Sequence, residues 1–131
     1  MKPLSEVKMY TAGVLVIFLI SLSSCAVSPE IQAKMDEFDR TVPSCSSASD
    51  CTAKWAAARA WTVENSDFII QGESDSRIFA SNTYVSQSGI GVVVLRVNDQ
   101  ILVDLECFSA YSCPEMLDMS LDFNRVVGSA R

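Results

Sequence analysis

The stretch that decides the fold is residues 90–108, IGVVVLRVNDQILVDLECF. Two runs rich in β-branched and aliphatic residues flank Asn98-Asp99, a pair that predicts a two-residue hairpin turn. If Val97 pairs with Gln100, alternate side chains of both strands share one face of the sheet. That face is the predicted core, and its members are Ile90, Val92, Val94, Ile101, Val103, Leu105 and Cys107.

The opposite face of this hairpin is only partly apolar. Its members are Val93, Leu95, Leu102, Asp104 and Glu106. A partly apolar face is suited to contact with another surface, so a partner protein or a helix near the amino terminus is expected to cover it.

Two further strand-like segments precede the hairpin, at residues 67–71 and 77–85. Runs of turn-forming residues at 72–76 and 86–89 separate the segments. Because strands joined by short connections usually pair with their neighbours in sequence, the four segments predict an antiparallel meander.

The clearest helix is predicted at residues 51–65, after the capping residues Ser47, Ser49 and Asp50. Alanine, the best helix former, is frequent in this stretch. The helical period brings Trp55 and Trp61 to one side, which we interpret as facing the core. The alternative is a platform on which the ring of a ligand, such as a sugar, stacks.

Two other helices complete the predicted fold. Ser28 and Pro29 suit the start of a helix over residues 30–40, which is either a stalk or packed on the domain. Ser112 and Glu115 are spaced as in a capping box and predict a helix through about Val127, although residues 121–127 also fit a strand. The predicted fold class is α+β, with two layers: a four-stranded antiparallel meander packed against one long helix, with a C-terminal helix beside it.

The amino-terminal region has the layout of a secretion signal. Lys2 and Lys8 precede the apolar run at residues 12–22, which is about half the length that a membrane-spanning helix needs. The run ends in Leu22-Ser-Ser-Cys25, which resembles the lipobox of bacterial lipoproteins. The resemblance covers the first 25 residues and implies cleavage before Cys25, lipidation of its thiol with diacylglycerol, and acylation of the new amino terminus.

This interpretation divides the chain into three parts. They are a signal peptide at residues 1–24, the lipidated Cys25 with a tether and short helix through residue 44, and a disulfide-bonded domain at 45–131. Removal of 24 of the 131 residues leaves 107, enough for one domain with a modest core. The lipid then attaches the protein to the membrane, and Ala26, which is not the aspartate that marks inner-membrane retention, favours the outer membrane.

Cysteine usage agrees with an oxidising compartment. Assigning Cys25 to the lipid leaves an even set of four, Cys45, Cys51, Cys107 and Cys113. Three connectivities are open, and we favour the two local pairs, Cys45 with Cys51 and Cys107 with Cys113. A zinc site is the competing use, but the close spacings exceed those usual for zinc and the chain has no histidine.

Charge and composition disfavour several function classes. Loss of Lys2, Lys8 and Glu6 with the signal changes the formal net charge from −6 to −7, so a nucleic-acid partner is not expected. The absence of histidine removes the commonest general base and metal ligand. We predict no catalytic residue, metal or cofactor, because Asp104 with Glu106, or the acidic residues at 36–39, lack the facing geometry of paired catalytic carboxylates.

A second resemblance, over residues 51–78, supports the same class. The pattern Cys51-x3-Trp55-x5-Trp61-x3-Asn65, followed by Ile70-Gln71 and Ile78, is similar to a segment of small proteobacterial lipoproteins without assigned function. The resemblance implies a shared fold and location and transfers no catalytic residue.

The functional expectation is a membrane-anchored envelope lipoprotein that acts as a non-catalytic binding or structural module with a protein partner. The alternative is an inhibitor or immunity protein that blocks a periplasmic hydrolase or toxin through a loop at residues 72–76 or 86–89. An enzyme that works without histidine is the least favoured class.

Overall fold

The computed structural model describes residues 26–83, 87–109 and 111–131. The predicted signal peptide and Cys25 lie outside the described residues. The described helices are α1 Pro29–Thr41, α2 Ala48–Asn65 and α3 Met116–Ser129. The described strands are β1 Gly72–Glu73, β2 Arg77–Ala80, β3 Gly89–Val97 and β4 Gln100–Phe108.

The chain divides into two compact units, Met1–Gln32 and Ala33–Arg131. The described part of the first unit contains the beginning of α1, where the backbone N–H of Ile31 donates to Ser28 Oγ at 3.3 Å, so Ser28 caps the helix as predicted. The second unit contains the rest of α1, the other helices and the whole sheet. None of the described helices has the length and apolar content that crossing a bilayer requires.

The four strands form one antiparallel sheet in the order β1-β2-β3-β4, which confirms the predicted meander and the α+β fold class. Val97 pairs with Gln100, as the sequence predicts. Asn98 in the turn has a φ of 56°, in the left-handed region that asparagine tolerates better than most residues.

The core lies between the sheet and the helices α2 and α3. The predicted core face is confirmed: Ile90, Val92, Val94 and Ile101 are buried, and Val103, Leu105 and Cys107 pack against them while partly buried. From the helical side, Trp61 and Phe123 meet edge to face with ring centroids 5.2 Å apart. The indole N–H of Trp61 donates to Asp122 at 2.9 Å, so its polar atom is satisfied.

Within the second unit, α1 packs on the domain. Lys34 Nζ lies 2.8 Å from an Asp118 carboxylate oxygen, and the side-chain amide of Asn124 donates to the Phe38 carbonyl at 3.1 Å. The sequence left open whether this helix is a stalk or packs on the domain, and residues 34–41 pack on the domain.

The predicted strand at residues 67–71 is wrong, because side chains take over the bonds that a strand would make there. The Asp67 N–H donates to the Ile90 carbonyl, and the Ile90 N–H donates back to the Asp67 carboxylate at 2.6 Å. The side-chain amide of Gln71 donates from Nε2 to the Ser81 carbonyl, and its Oε1 accepts from the Ser81 backbone N–H. The first strand is instead the short β1. The second strand, predicted over residues 77–85, ends at Ala80, and residues 84 and 85 lie outside the described residues.

The carboxyl-terminal helix is confirmed, but its predicted start is wrong. The helix begins at Met116, and Glu115 at its N-cap makes no side-chain capping bond. Because the disulfide holds Cys113 beside Cys107 at the end of β4, the helix begins only after Pro114 and Glu115. Residues 121–127, for which a strand was the alternative, are helical.

Candidate functional site

The sheet face turned away from α2 and α3 carries a cluster of apolar side chains, and we call it the outer face. Its apolar members are Phe79, Val93, Leu95, Val97 and Leu102, which the strand register brings into adjacent rows. Leu95 is 38% exposed and Val97 47%. The sequence predicted Val93, Leu95 and Leu102 on this face. Val97 is added by its pairing with Gln100 at the turn, and Phe79 by its pairing with Val93.

Charged side chains border the outer face. The Arg77 guanidinium carbon lies 4.8 Å from the centroid of the Phe79 ring, a cation–π contact. Asp104 is exposed and lies opposite Val93 in the sheet. An apolar centre with a charged border is typical of surfaces that bind other proteins.

At one end of the outer face, a polar pair is enclosed. Ser81, only 2% exposed, donates its hydroxyl hydrogen to Glu106 Oε2. The rings of Phe68 and Phe108 stack edge to face beside the pair, with centroids 6.0 Å apart. A serine hydroxyl acts as a nucleophile when a neighbouring base takes its proton, but Ser81 is buried from any substrate, so we assign the pair a structural role. Sequence reasoning missed it because the register of β2 was not known.

The four predicted cysteines form two disulfides, Cys45–Cys51 and Cys107–Cys113, with Cα–Cα distances of 4.9 and 6.0 Å. These are the local pairs that the sequence favoured. None of the four thiols is therefore free to coordinate zinc, and no group of metal-ligating side chains is found in the described ranges. The proposed lipidation site, Cys25, is outside those ranges and stays a prediction.

The first disulfide belongs to a network at the start of α2. Ser47 Oγ accepts from the Asp50 N–H at 3.2 Å, and the Asp50 carboxylate accepts from the backbone N–H of Ser46 at 2.8 Å. Lys54 Nζ donates to Asp50 Oδ2 at 2.9 Å and to the Ser44 carbonyl at 2.7 Å. The bond from Lys54, followed by that from the Ser46 N–H, lowers the pKa of Asp50 from 3.8 to about 2.

The same network fixes residues 43–45 against the sheet. Ser44 forms an antiparallel bridge with Gln100, the Ile101 N–H donates to the Pro43 carbonyl at 2.9 Å, and the Cys45 N–H donates to the Asp99 carbonyl at 2.7 Å. The beginning of β4 is thus paired on both sides. Beyond Ile101, the outer edge of β4 has no strand beside it in the described part of the chain.

A shallow groove of about 460 Å³ runs along α2 on the other layer of the domain. Trp55 and Arg59 line it on the helix, and Arg96 at the end of β3 lines it on the sheet. Arg59 is held by two bonds to Glu73, at 3.0 and 2.9 Å. Trp55 is partly buried against the core, so the core interpretation holds for both tryptophans, more fully for Trp61.

No family model, curated protein or solved structure matches this chain. The candidate site therefore rests on the geometry of the outer face and of the β4 edge beside it.

Proposed function

We propose that this protein is a lipid-anchored binding module of the bacterial envelope, held by a lipidated Cys25, which binds a protein partner through the outer face of its sheet. The observation that carries the binding function is the exposure of Leu95 and Val97 on an apolar face of the sheet. Apolar side chains clustered on one face favour association, since each loses contact with water when a partner covers it.

The anchor is supported by the sequence of the first 25 residues and by the cysteine pairing. The two disulfides use four of the five cysteines and leave Cys25 for the lipid. Disulfides persist in oxidising compartments such as the periplasm, where a lipoprotein domain would reside. Ala26 after the lipidated residue favours the outer membrane.

The charge of the domain indicates the partner. The mature chain would have a formal net charge of −7, and the exposed carboxylate of Asp104 lies on the outer face itself. A positively charged protein surface is complementary to this face, whereas anionic lipid headgroups and nucleic acids are repelled.

Site-specific photo-crosslinking in intact cells tests the proposal. A photoreactive residue at Leu95 is expected to crosslink one defined partner, because Leu95 lies in the proposed interface. The matched control is Val63, an apolar residue of α2 that is 59% exposed on the other layer, and no crosslink to that partner is expected there. The readout is the mass-spectrometric identity of the crosslinked protein.

The Cys25→Ala variant tests the anchor in the same cells. We expect it to lose incorporation of labelled palmitate and to leave the membrane fraction, because the lipid is the proposed attachment. Unchanged processing and fractionation would overturn the anchor, and equal crosslinking at Leu95 and Val63 would overturn the binding face.

A second candidate function is inhibition of an envelope hydrolase or toxin. The turn between β1 and β2 favours it, because every residue from 72 to 77 is exposed and Ser74 Oγ accepts from the backbone N–H groups of Ser76 and Arg77, which fixes the turn. A rigid exposed turn loses little conformational entropy when it enters an active site. A hydrolase crosslinked from this turn, and not from Leu95, would support the inhibitor.

A further inference from the structure

We propose that the open edge of β4 accepts a strand from a protein partner in which apolar and basic residues alternate. This inference rests on the proposed binding function, because it names the kind of segment that the domain binds. It does not depend on the lipid anchor.

The direction of the backbone groups along β4 identifies the edge. Because Val97 and Gln100 close a two-residue hairpin, Gln100 and alternate residues after it bond to β3. The intervening residues turn their N–H and C=O groups away from β3, as the bond from Ile101 to Pro43 demonstrates. Val103, Leu105 and Cys107 follow in the same phase, and no described residue bonds their outward groups.

The chain itself shows that this edge pairs with an added segment. Residues 43–45 lie antiparallel to the beginning of β4 and bond to it from outside the sheet. Ile101, beside this segment, is fully buried, whereas Val103 and Leu105, beyond it, are only partly buried. A strand continuing past residue 43 would cover these side chains in the same way.

The other edge of the sheet differs. The strand at that edge, β1, consists of two residues, Gly72 and Glu73, and short edge strands offer little backbone for pairing. The strand β4 has nine residues, and among the described residues its free edge is paired only at its beginning. Strand addition is therefore expected at β4.

The outer-face side chains of β4 decide which strand fits. A strand added beside β4 places one of its own outer-face residues next to the exposed Asp104, where lysine or arginine is favourable. Its other face meets Val103 and Leu105, where apolar residues are favourable. A second copy of β4, whose only charged residues are acidic, would bring no lysine or arginine to Asp104.

The test uses the full-length chain in detergent and a short synthetic peptide in which lysine and valine alternate. We expect saturable binding, and we expect the same peptide with alternate backbone nitrogens methylated to bind at least about tenfold more weakly, since it loses the strand hydrogen bonds. A peptide alternating glutamate and valine serves as the charge control and is expected not to bind. If the methylated peptide binds equally, or the lysine peptide fails to bind, the proposal is overturned.

Two variants test whether the peptide binds at the open edge of β4. Leu105→Pro removes an outward N–H without removing a bond to β3, and is expected to weaken binding about tenfold, whereas Leu105→Val, which keeps the N–H, should change it less than about twofold. Asp104→Lys is expected to shift preference to the glutamate peptide and does not depend on a proline being tolerated. Unchanged binding in both Leu105→Pro and Asp104→Lys would overturn the proposal.

Two further outcomes separate this inference from the proposed function. A dimer of the full-length chain in detergent that Leu105→Pro dissociates would assign the edge to a second copy and overturn the alternating basic strand. A partner crosslinked at Leu95 in cells, combined with no peptide binding, would retain the binding function and remove strand addition alone.

Discussion

At the scale of single residues, Asp50 links the protein's stability to pH. Its pKa is about 2 in the folded chain, against an ordinary value of 3.8. A lowered folded pKa stabilises the fold at pH values above 3.8, and this contribution is lost as the pH falls through about 2. We expect Asp50→Asn to lower the free energy of unfolding at neutral pH, with the difference from the parent chain disappearing between pH 4 and pH 2.

Denaturant unfolding at several pH values measures this effect. Ser47→Ala is the matched control, because its hydroxyl caps the same helix and does not titrate. Its loss of about 1 kcal/mol is expected to be the same at each pH. A loss in Asp50→Asn that also stays constant with pH would contradict the assigned role of the carboxylate.

Gly91 is expected to tolerate no side chain. A Cβ there would lie 2.6 Å from Ser81 Oγ and 3.0 Å from a ring carbon of Phe108, inside the enclosed end of the outer face. We expect Gly91→Ala to lower the free energy of unfolding by about 1–3 kcal/mol, since the neighbours must move and the bond from Ser81 to Glu106 is disturbed.

Gly72→Ala is the control for this substitution, because nothing lies within 4 Å of the corresponding Cβ. Chemical denaturation of the two variants in parallel gives the comparison. Similar stability of both would mean that the enclosed end is more adaptable than its packing indicates.

Structural features such as helix caps could be predicted from the sequence where a single residue and its near neighbours determine them. Ser28 caps α1 as predicted, because a cap depends only on the next three residues. Of the three capping residues expected before a helix at 51–65, Ser47 is the cap, so α2 begins three residues earlier, at Ala48. Ser112 and Glu115 have the spacing of a capping box but do not form one, because the disulfide at Cys113 holds this stretch near β4. A local pattern fails where a distant covalent bond competes with it.

At the scale of elements, the Cys45–Cys51 disulfide joins the start of α2 to the segment that pairs with β4. We expect Cys45→Ala/Cys51→Ala to lower the free energy of unfolding by about 2 kcal/mol, mainly through the freedom that the unfolded chain regains. Because residues 43–45 would be held less firmly, hydrogen exchange of the Ile101 amide should also become faster.

The second disulfide is the control for the exchange measurement. Cys107→Ala/Cys113→Ala removes a loop of equal sequence separation at the other end of β4, so the stability loss should be similar. Exchange at Ile101 should change much less. Equal acceleration in both variants would show that the first disulfide does not hold the edge segment.

Elements with strong internal patterns were predicted well. The β3–β4 hairpin is fixed by its turn and by its alternation, and both its register and its core face are confirmed. Residues 67–71 also looked like a strand, but Asp67 and Gln71 carry polar side chains that imitate backbone partners. Sequence pattern does not distinguish a strand bonded through its backbone from a segment bonded through its side chains.

At the scale of the whole molecule, the two-layer arrangement of a meander and helices followed from the sequence, because neighbouring strands pair and apolar stripes must meet. The candidate site did not follow to the same extent. Three apolar residues of the outer face were predicted from alternation, but where the open edge of β4 begins depends on residues 43–45 pairing with residues 99–101. That pairing joins parts of the chain far apart in sequence and leaves no local signal.

The order of the cysteines also bears on how the chain matures. Each disulfide joins cysteines six residues apart, and the two pairs follow one another along the chain without overlapping. An oxidase that links these four thiols successively as they emerge would therefore reach the native connectivity directly. Maturation should then require a dithiol oxidant and no reshuffling isomerase, provided that the earlier cysteine at position 25 is already blocked.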